Sequence, residues 1–270
     1  MNLKIITIPF IFFFLLLPNV HSNDQVDKID QILKSDHRSD KNKKRDMYRN
    51  PKETLNFFGF KDDISVIEVT PGRGWYTEIL APSLKSNGKF YALIYDSKTA
   101  IPYLRKLNKF YTDKLAKNPD FYSEVKILQV EQKNPVLKIP KKVDLVLTFR
   151  NVHNWAKGGS AQTMFESFFN SLKKGGVLGV VEHRATPGTE LSKQIKSGYM
   201  TEKYVKDLAK SVGFKFVGSS NVNNNPKDKK NYPGGVWTLL PNLRGINDKQ
   251  KEEFLKIGES DRMTLKFVKP

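Results

Sequence analysis

The sequence predicts an α/β fold: one doubly wound, mostly parallel sheet with helices on both faces. Three observations predict it. Short, continuously apolar runs of strand length alternate with helical segments from residue 65 to residue 212. A turn with two glycines, Gly72 and Gly74, lies between the first such run and the first helical segment that follows it. The chain has 270 residues, 39% of them hydrophobic and 11% aromatic, which is enough apolar surface to bury a single core of this kind.

The amino terminus reads as an address rather than as part of the fold. Lys4 is followed by thirteen residues, Ile5 to Leu17, that are apolar apart from Thr7 and Pro9. As a helix this run reaches about 20 Å, short of a bilayer core of about 30 Å, so residues 1–22 are expected to be a cleaved signal peptide. Val20 and Ser22 place the cleavage before Asn23, and the mature protein is expected in the periplasm or outside the cell, with no membrane span. Residues 23–45 are polar, with a short apolar pattern at Val26, Ile29, Ile32 and Leu33, and are expected to form a marginal helix and a linker. Lys41, Lys43, Lys44, Arg45 and Arg49 would keep that linker solvated.

The folded domain is expected over residues 46–270. Asp46 to Phe60 carries Pro51 at a first helical turn and Leu55, Phe57 and Phe58 on an apolar face, predicting a helix that docks on the core and stops at Gly59. Strands are predicted at Ser65 to Val69, Lys89 to Tyr95, Val125 to Val130, Val143 to Phe149 and Val177 to Glu182. Helices are predicted at Tyr76 to Leu84, Ile101 to Leu115, Ser160 to Leu172 and Thr201 to Val212, the last with a Thr201 cap and Gly213 just past its end. Two more strands, Lys215 to Ser219 and Met263 to Val268, are separated by about forty residues rich in Asn, Lys, Pro and Gly. A segment that long is either a functional flap or unrecognised structure.

Composition narrows the chemistry. The absence of Cys excludes disulfides, thiolate nucleophiles and thiolate metal sites together. The four His residues, at 21, 37, 153 and 183, show no ligand spacing, so no metal site is predicted. A net charge of +18 favours acidic partners, but the Lys residues are scattered, which predicts no specific nucleic-acid partner.

The sharpest local signal is Glu68-Val69-Thr70-Pro71-Gly72-Arg73-Gly74-Trp75, directly after a strand and directly before a helix. Gly72 and Gly74 let the backbone approach a ligand, and Glu68 can shape the loop or accept hydrogen bonds from a ligand's amino group. Asp96 closes the next strand, where a carboxylate can take both hydroxyls of a ribose. Glu131 lies just past the third strand, as a weaker partner for an adenine amino group. A dinucleotide-binding G-x-G-x-x-G would need Gly where the chain has Thr77, and there is no phosphate-binding Lys in the loop.

Glu68 to Gly74 resembles the acid-x-Gly-x-Gly-x-Gly loop of class I S-adenosylmethionine-dependent methyltransferases. The resemblance continues through Asp144-Leu145-Val146-Leu147, Asn151-Val152-His153-Asn154-Trp155, Leu172-Lys173-Lys174-Gly175-Gly176-Val177-Leu178 and Tyr199-Met200-Thr201-Glu202, covering about Glu53 to Ser219. Thr70 stands where the family has its first loop glycine. Other phrases, among them Gly235-Val236-Trp237-Thr238, resemble an exported branch of the family. The resemblance implies a seven-strand sheet with one antiparallel strand near the C-terminus. It implies S-adenosylmethionine held by Glu68, Thr70, Pro71, Gly72, Gly74, Trp75, Asp96, Glu131 and Asn151, and methyl transfer to a small or envelope-associated acceptor. His153 and His183, at the carboxyl ends of the fourth and fifth strands, are the two groups expected to take the acceptor's proton, and His183 is preferred. Tyr48 and Arg49 are expected to close over the cofactor and Arg184 to hold an acidic acceptor, while Trp75 and Trp237 also read as packing residues. Two alternatives stand beside this: an exported protein of the same fold that binds another nucleoside-like or small ligand without catalysis, and a basic polyanion-binding envelope protein.

Overall fold

The computed structural model describes residues 21–270, so the apolar run read as an export signal lies outside the described residues. Among those described, no helix is long and apolar enough to cross a membrane. Seven strands, β1 (Ser65–Val69), β2 (Lys89–Tyr95), β3 (Lys126–Val130), β4 (Val143–Phe149), β5 (Leu172–His183), β6 (Lys215–Ser220) and β7 (Arg262–Val268), form one sheet in the order β3-β2-β1-β4-β5-β7-β6. All run parallel except β7, which is antiparallel to β5 and to β6. This is the predicted seven-strand sheet. The strand order reverses between β1 and β4, so their carboxyl ends open a crevice where ligands of such sheets bind.

Both faces are buried, which is why the strands read as unbroken apolar runs. In β1, Ile67 and Val69 face one layer, with Trp155, Phe165 and Phe168; Val66 faces the other, with Leu55, Phe58, Ile79 and Leu84. β5 begins five residues before the prediction, because Leu172 pairs with Val143 across an irregularity that the glycines Gly175 and Gly176 accommodate.

Two segments differ from expectation. Residues 28–45 are packed on the core instead of forming a solvated linker. Ile29 is buried, and the Arg38 guanidinium lies fully buried, gripped by both oxygens of Asp46 at 2.7 Å and bonded to the Leu33 carbonyl. The Trp75 indole donates to the carbonyl of Asn42 at 3.0 Å. Ion pairs and arginine–aromatic contacts hold this segment, and apolar periodicity registers neither.

The forty residues before β7 are structured. They hold a short 3₁₀ turn, Gly235–Thr238, and a helix, Asp248–Ile257, closed by a reciprocal Asn247–Gln250 capping box. Asn223 is tied to Thr54 and Thr264, and Asp228 accepts from the Tyr199 hydroxyl and the Asp261 amide. These bonds bring Trp237, Glu259 and Ser260 to the carboxyl edge of the sheet.

Candidate functional site

The glycine turn starts where β1 ends. The Thr70 amide donates to the Leu93 carbonyl at 2.7 Å, which holds the turn against β2. Gly72 (φ +63°) and Gly74 (φ +73°) take left-handed backbone, as a turn this tight requires. A Cβ on Gly74 would meet the Tyr111 ring at 3.0 Å, whereas nothing lies within 4 Å of one on Gly72, so Gly72 is the open face of the turn. Thr70, at φ +43°, is a β-branched residue in the same region, a strain of about 1–3 kcal/mol, and its Oγ1 is buried with no partner.

Glu68 points into the protein interior. It is buried, accepts from Thr77 Oγ1 at 2.6 Å, and Thr77 in turn lies 3.0 Å from the Tyr111 hydroxyl. Loss of solvent pushes its carboxyl up to about 7. The folded state therefore keeps a proton that the unfolded chain releases, and the associated stability is present below pH 4.5 and is lost as pH rises through 7. Glu68→Gln should accordingly stabilise the fold at pH 8 by about 1–3 kcal/mol and have little effect at pH 4. Urea midpoints at the two pH values check this, and equal shifts at both would sink it.

Asp96 and Glu131 lie at the ends of neighbouring strands. The Asp96 amide bonds the Val130 carbonyl, its carboxylate caps the Lys98 amide at 2.7 Å, and the two acids share a cavity of about 350 Å³ with Gln129, Asn134, Val136 and Lys138. The turn, Asp96 and Glu131 thus sit on three successive strand ends, spaced about 4.8 Å apart.

On the β4 side the crevice is filled. Tyr76 stacks on Phe149 at 3.5 Å between ring centres, and Asn151 Nδ2 donates to the Val69 carbonyl at 3.1 Å and to Thr148 Oγ1. Asn151, expected on a ligand, ties the ends of β1 and β4 together. Trp75 packs beneath the guanidinium of Arg49, 4.5 Å above its ring, and that of Arg38 at 5.3 Å.

At the ends of β4 and β5 the two expected histidines meet. His153 lies in the first turn of a helix, Val152–Gly158, that the sequence reading missed; its Nδ1 lies 3.1 Å from Glu182 Oε1, and its amide faces Glu182 Oε2 at 3.3 Å. Glu182 is fully buried, so the imidazole is held by a fixed carboxylate. The His183 ring is 5.5 Å from that of His153, with Nδ1 2.5 Å from Ser260 Oγ, and Trp237 meets His153 edge-on at 6.0 Å. Burial, then His153, Arg262 and Arg150, hold His183 well below its ordinary value, so it is neutral at pH 7. His153, Glu182 and His183 place donor atoms within 4.8 Å of one another, an arrangement that could ligate a metal and that no sequence spacing announced. The positive field of Arg150 and Arg262 opposes a divalent cation there.

Arg184 is committed elsewhere: Asp261 grips it at 2.7 and 3.1 Å and Glu202 at 3.3 Å, so the expected contact with an acidic acceptor is not available to it. Tyr48 offers its carbonyl to Arg262, and Arg49 pairs with Glu259 at 3.2 Å. Glu182, Glu259, Ser260 and Arg262 were missed as site residues; the polar runs Glu182-His183-Arg184 and Glu259-Ser260-Asp261-Arg262 beside apolar strands were the available signal.

No family model matches the chain, and no curated protein matches it. Solved structures do. An S-adenosylmethionine-dependent methyltransferase from Aquifex aeolicus superposes with a TM-score of 0.51 at 19% identity, over 73% of this chain and 93% of that one. The glycopeptide N-methyltransferase MtfA gives 0.53 at 12% identity, over 83% and 91%. The strand order and these likenesses give the chain the fold of S-adenosylmethionine-dependent methyltransferases.

Proposed function

We propose that the protein is an S-adenosylmethionine-dependent methyltransferase acting on a small acceptor. The observation that carries this reading is the succession of the glycine turn, Asp96 and Glu131 at the carboxyl ends of three neighbouring strands, beside the point where the strand order reverses, with Asp96 and Glu131 lining one cavity. These residues fit the cofactor: Asp96 for the ribose hydroxyls, Glu131 for the adenine amino group, and the backbone of the turn for the chain beyond. When bound, that cofactor supplies a methyl group on a cationic sulfur. The protein's part is to orient the acceptor, which can contribute about 7–11 kcal/mol, and to take its proton. His153 suits the second task, because Glu182 engages Nδ1 and leaves Nε2 for the acceptor. The apolar run Ile5 to Leu17 behind Lys4 supports export of the mature protein.

Calorimetric titration with S-adenosylmethionine tests the reading. Asp96→Ala should weaken binding by at least tenfold, since each charge-assisted hydrogen bond to a ribose contributes about 1.5–3 kcal/mol. Unchanged affinity in the variant would refute the ribose assignment, and no heat with the wild type would refute the cofactor. A second reading, a non-catalytic binder of a nucleoside-like ligand, draws on the Tyr76–Phe149 stack and the Asn151 bridge, which occupy the β1–β4 side of the crevice. On that reading adenosine binds as tightly as S-adenosylmethionine.

A further inference from the structure

At the edge of the crevice, buried positive charge exceeds its counter-charge. Glu259, itself buried, accepts from Arg45 Nε at 2.5 Å, from Arg49 Nε at 3.2 Å and from Arg262 Nη2, while Arg150 Nη1 stands 3.9 Å away. No other carboxylate among the described residues pairs with these four guanidiniums, so the group carries a formal charge of +3. Arg49 and Arg262 are only 3% and 2% exposed. Guanidinium groups stay protonated in proteins, so the excess is not relieved by losing protons. Buried charge of this kind is costly unless it is partnered.

The hydrogen-bond inventory points the same way. Arg45 Nη2, Arg49 Nη2 and Arg262 Nε are buried donors with no acceptor. Arg49, Arg150 and Arg262 converge, with Asn223, on a hollow closed on its other side by Tyr76, Phe149 and Val181. Its free space is about 10 Å³, room for a single oxygen atom of a larger group. The hollow adjoins the histidine pair: Arg262 is the register partner of His183 across β5 and β7, and the Arg150 amide bonds the Val181 carbonyl.

We propose that Arg49, Arg150 and Arg262 form a receptor for one oxygen of an anionic group, a carboxylate or a phosphate, at one end of a ligand whose other end lies over His153 and His183. This rests on the reading of the crevice as a methyl-transfer site and adds an anionic group to its ligand. Two sources share that chemistry, the carboxylate of the cofactor and an anionic acceptor. Where the acceptor supplies the oxyanion, the role expected of Arg184 passes to these three residues.

The probe is inorganic sulfate. Thermal unfolding of the full mature chain is followed as sulfate replaces chloride at constant ionic strength, for the wild type and for Arg150→Gln, chosen because the Arg150 side chain is partly exposed. Sulfate stabilises proteins generally, so the diagnostic is saturation and its loss in the variant. The receptor predicts a saturable rise in Tm for the wild type and an apparent Kd at least tenfold weaker in Arg150→Gln. A response that does not saturate, or that is equal in both proteins, overturns it. If the variant does not fold, wild-type crystals soaked in selenate decide: an anomalous peak at the mouth of the hollow formed by Arg49, Arg150 and Arg262 supports the receptor, and its absence there overturns it. Titrating S-adenosylmethionine with and without saturating sulfate then separates the sources. Competition assigns the oxyanion to the cofactor, and undiminished binding assigns it to the acceptor. Should sulfate bind while S-adenosylmethionine does not, the cofactor reading fails and the receptor stands.

Discussion

His153→Gln is expected to lower kcat for methyl transfer by about 10²–10⁴-fold while leaving the Kd for S-adenosylmethionine within about twofold. The asymmetry follows from position. His153 sits at the carboxyl end of β4, on the far side of the crevice from the Asp96–Glu131 cavity, so it meets the acceptor and not the adenosine. Its orientation is fixed by the fully buried Glu182 side chain, which engages Nδ1 at 3.1 Å and so holds one tautomer. Glu182→Gln keeps the shape and replaces the group that fixes that tautomer, so it should reproduce part of the loss in kcat with little change in KM.

His183, preferred on sequence grounds, should matter less. Its Nδ1 is taken by Ser260, and burial among positive groups makes it a poor proton acceptor, so His183→Gln is expected to cost under tenfold. Steady-state kinetics of the three variants, with near-ultraviolet circular dichroism as a folding control, check the ranking. A larger loss for His183→Gln than for His153→Gln would reverse the assignment.

The contrast between these two histidines shows where sequence reasoning reaches and where it stops. The strands were legible because each is a short apolar run buried on both faces, and β1, β2 and β4 carry the predicted limits. The glycine turn and Asp96 were legible because both are local: their position relative to a strand end defines what they can do. The partners of the histidines were not, since Glu182 serves His153 across 29 residues and Ser260 serves His183 across 77. Thr70 and Glu68 were legible as members of a loop but not as a strained residue and a buried acid. Residues 28–49 were underestimated for a different reason: Arg38 and Arg49 pack against Trp75 as hydrophobic groups do, while any hydropathy pattern scores them as solvent-facing.

Glu259 is where that long-range organisation should be most exposed to mutation. Its carboxylate, brought in by the segment the sequence left as a possible flap, joins Arg45 and Arg49 of the N-terminal segment, Arg150 after β4 and Arg262 at the start of β7. Burial alone would raise its carboxyl, and the guanidiniums, Arg262 first and then Arg49, override this and hold it well below the ordinary range. Its contribution to stability is therefore fully present above pH 4.5 and is lost as pH falls through the lower folded value. Glu259→Gln removes the charge and leaves four guanidiniums facing one another, so it should destabilise the fold by about 3–5 kcal/mol at pH 7, the usual cost of breaking a buried ion pair from one side. Guanidinium chloride would screen the effect, so urea is the denaturant to use. Because the wild type itself loses this contribution in acid, the gap between the two proteins should narrow as the pH is lowered from 7 toward 3. A gap below 1 kcal/mol at pH 7 would mean that the arginines are stabilised independently of Glu259, whereas a gap that widens in acid would mean that the carboxyl is protonated in the folded state.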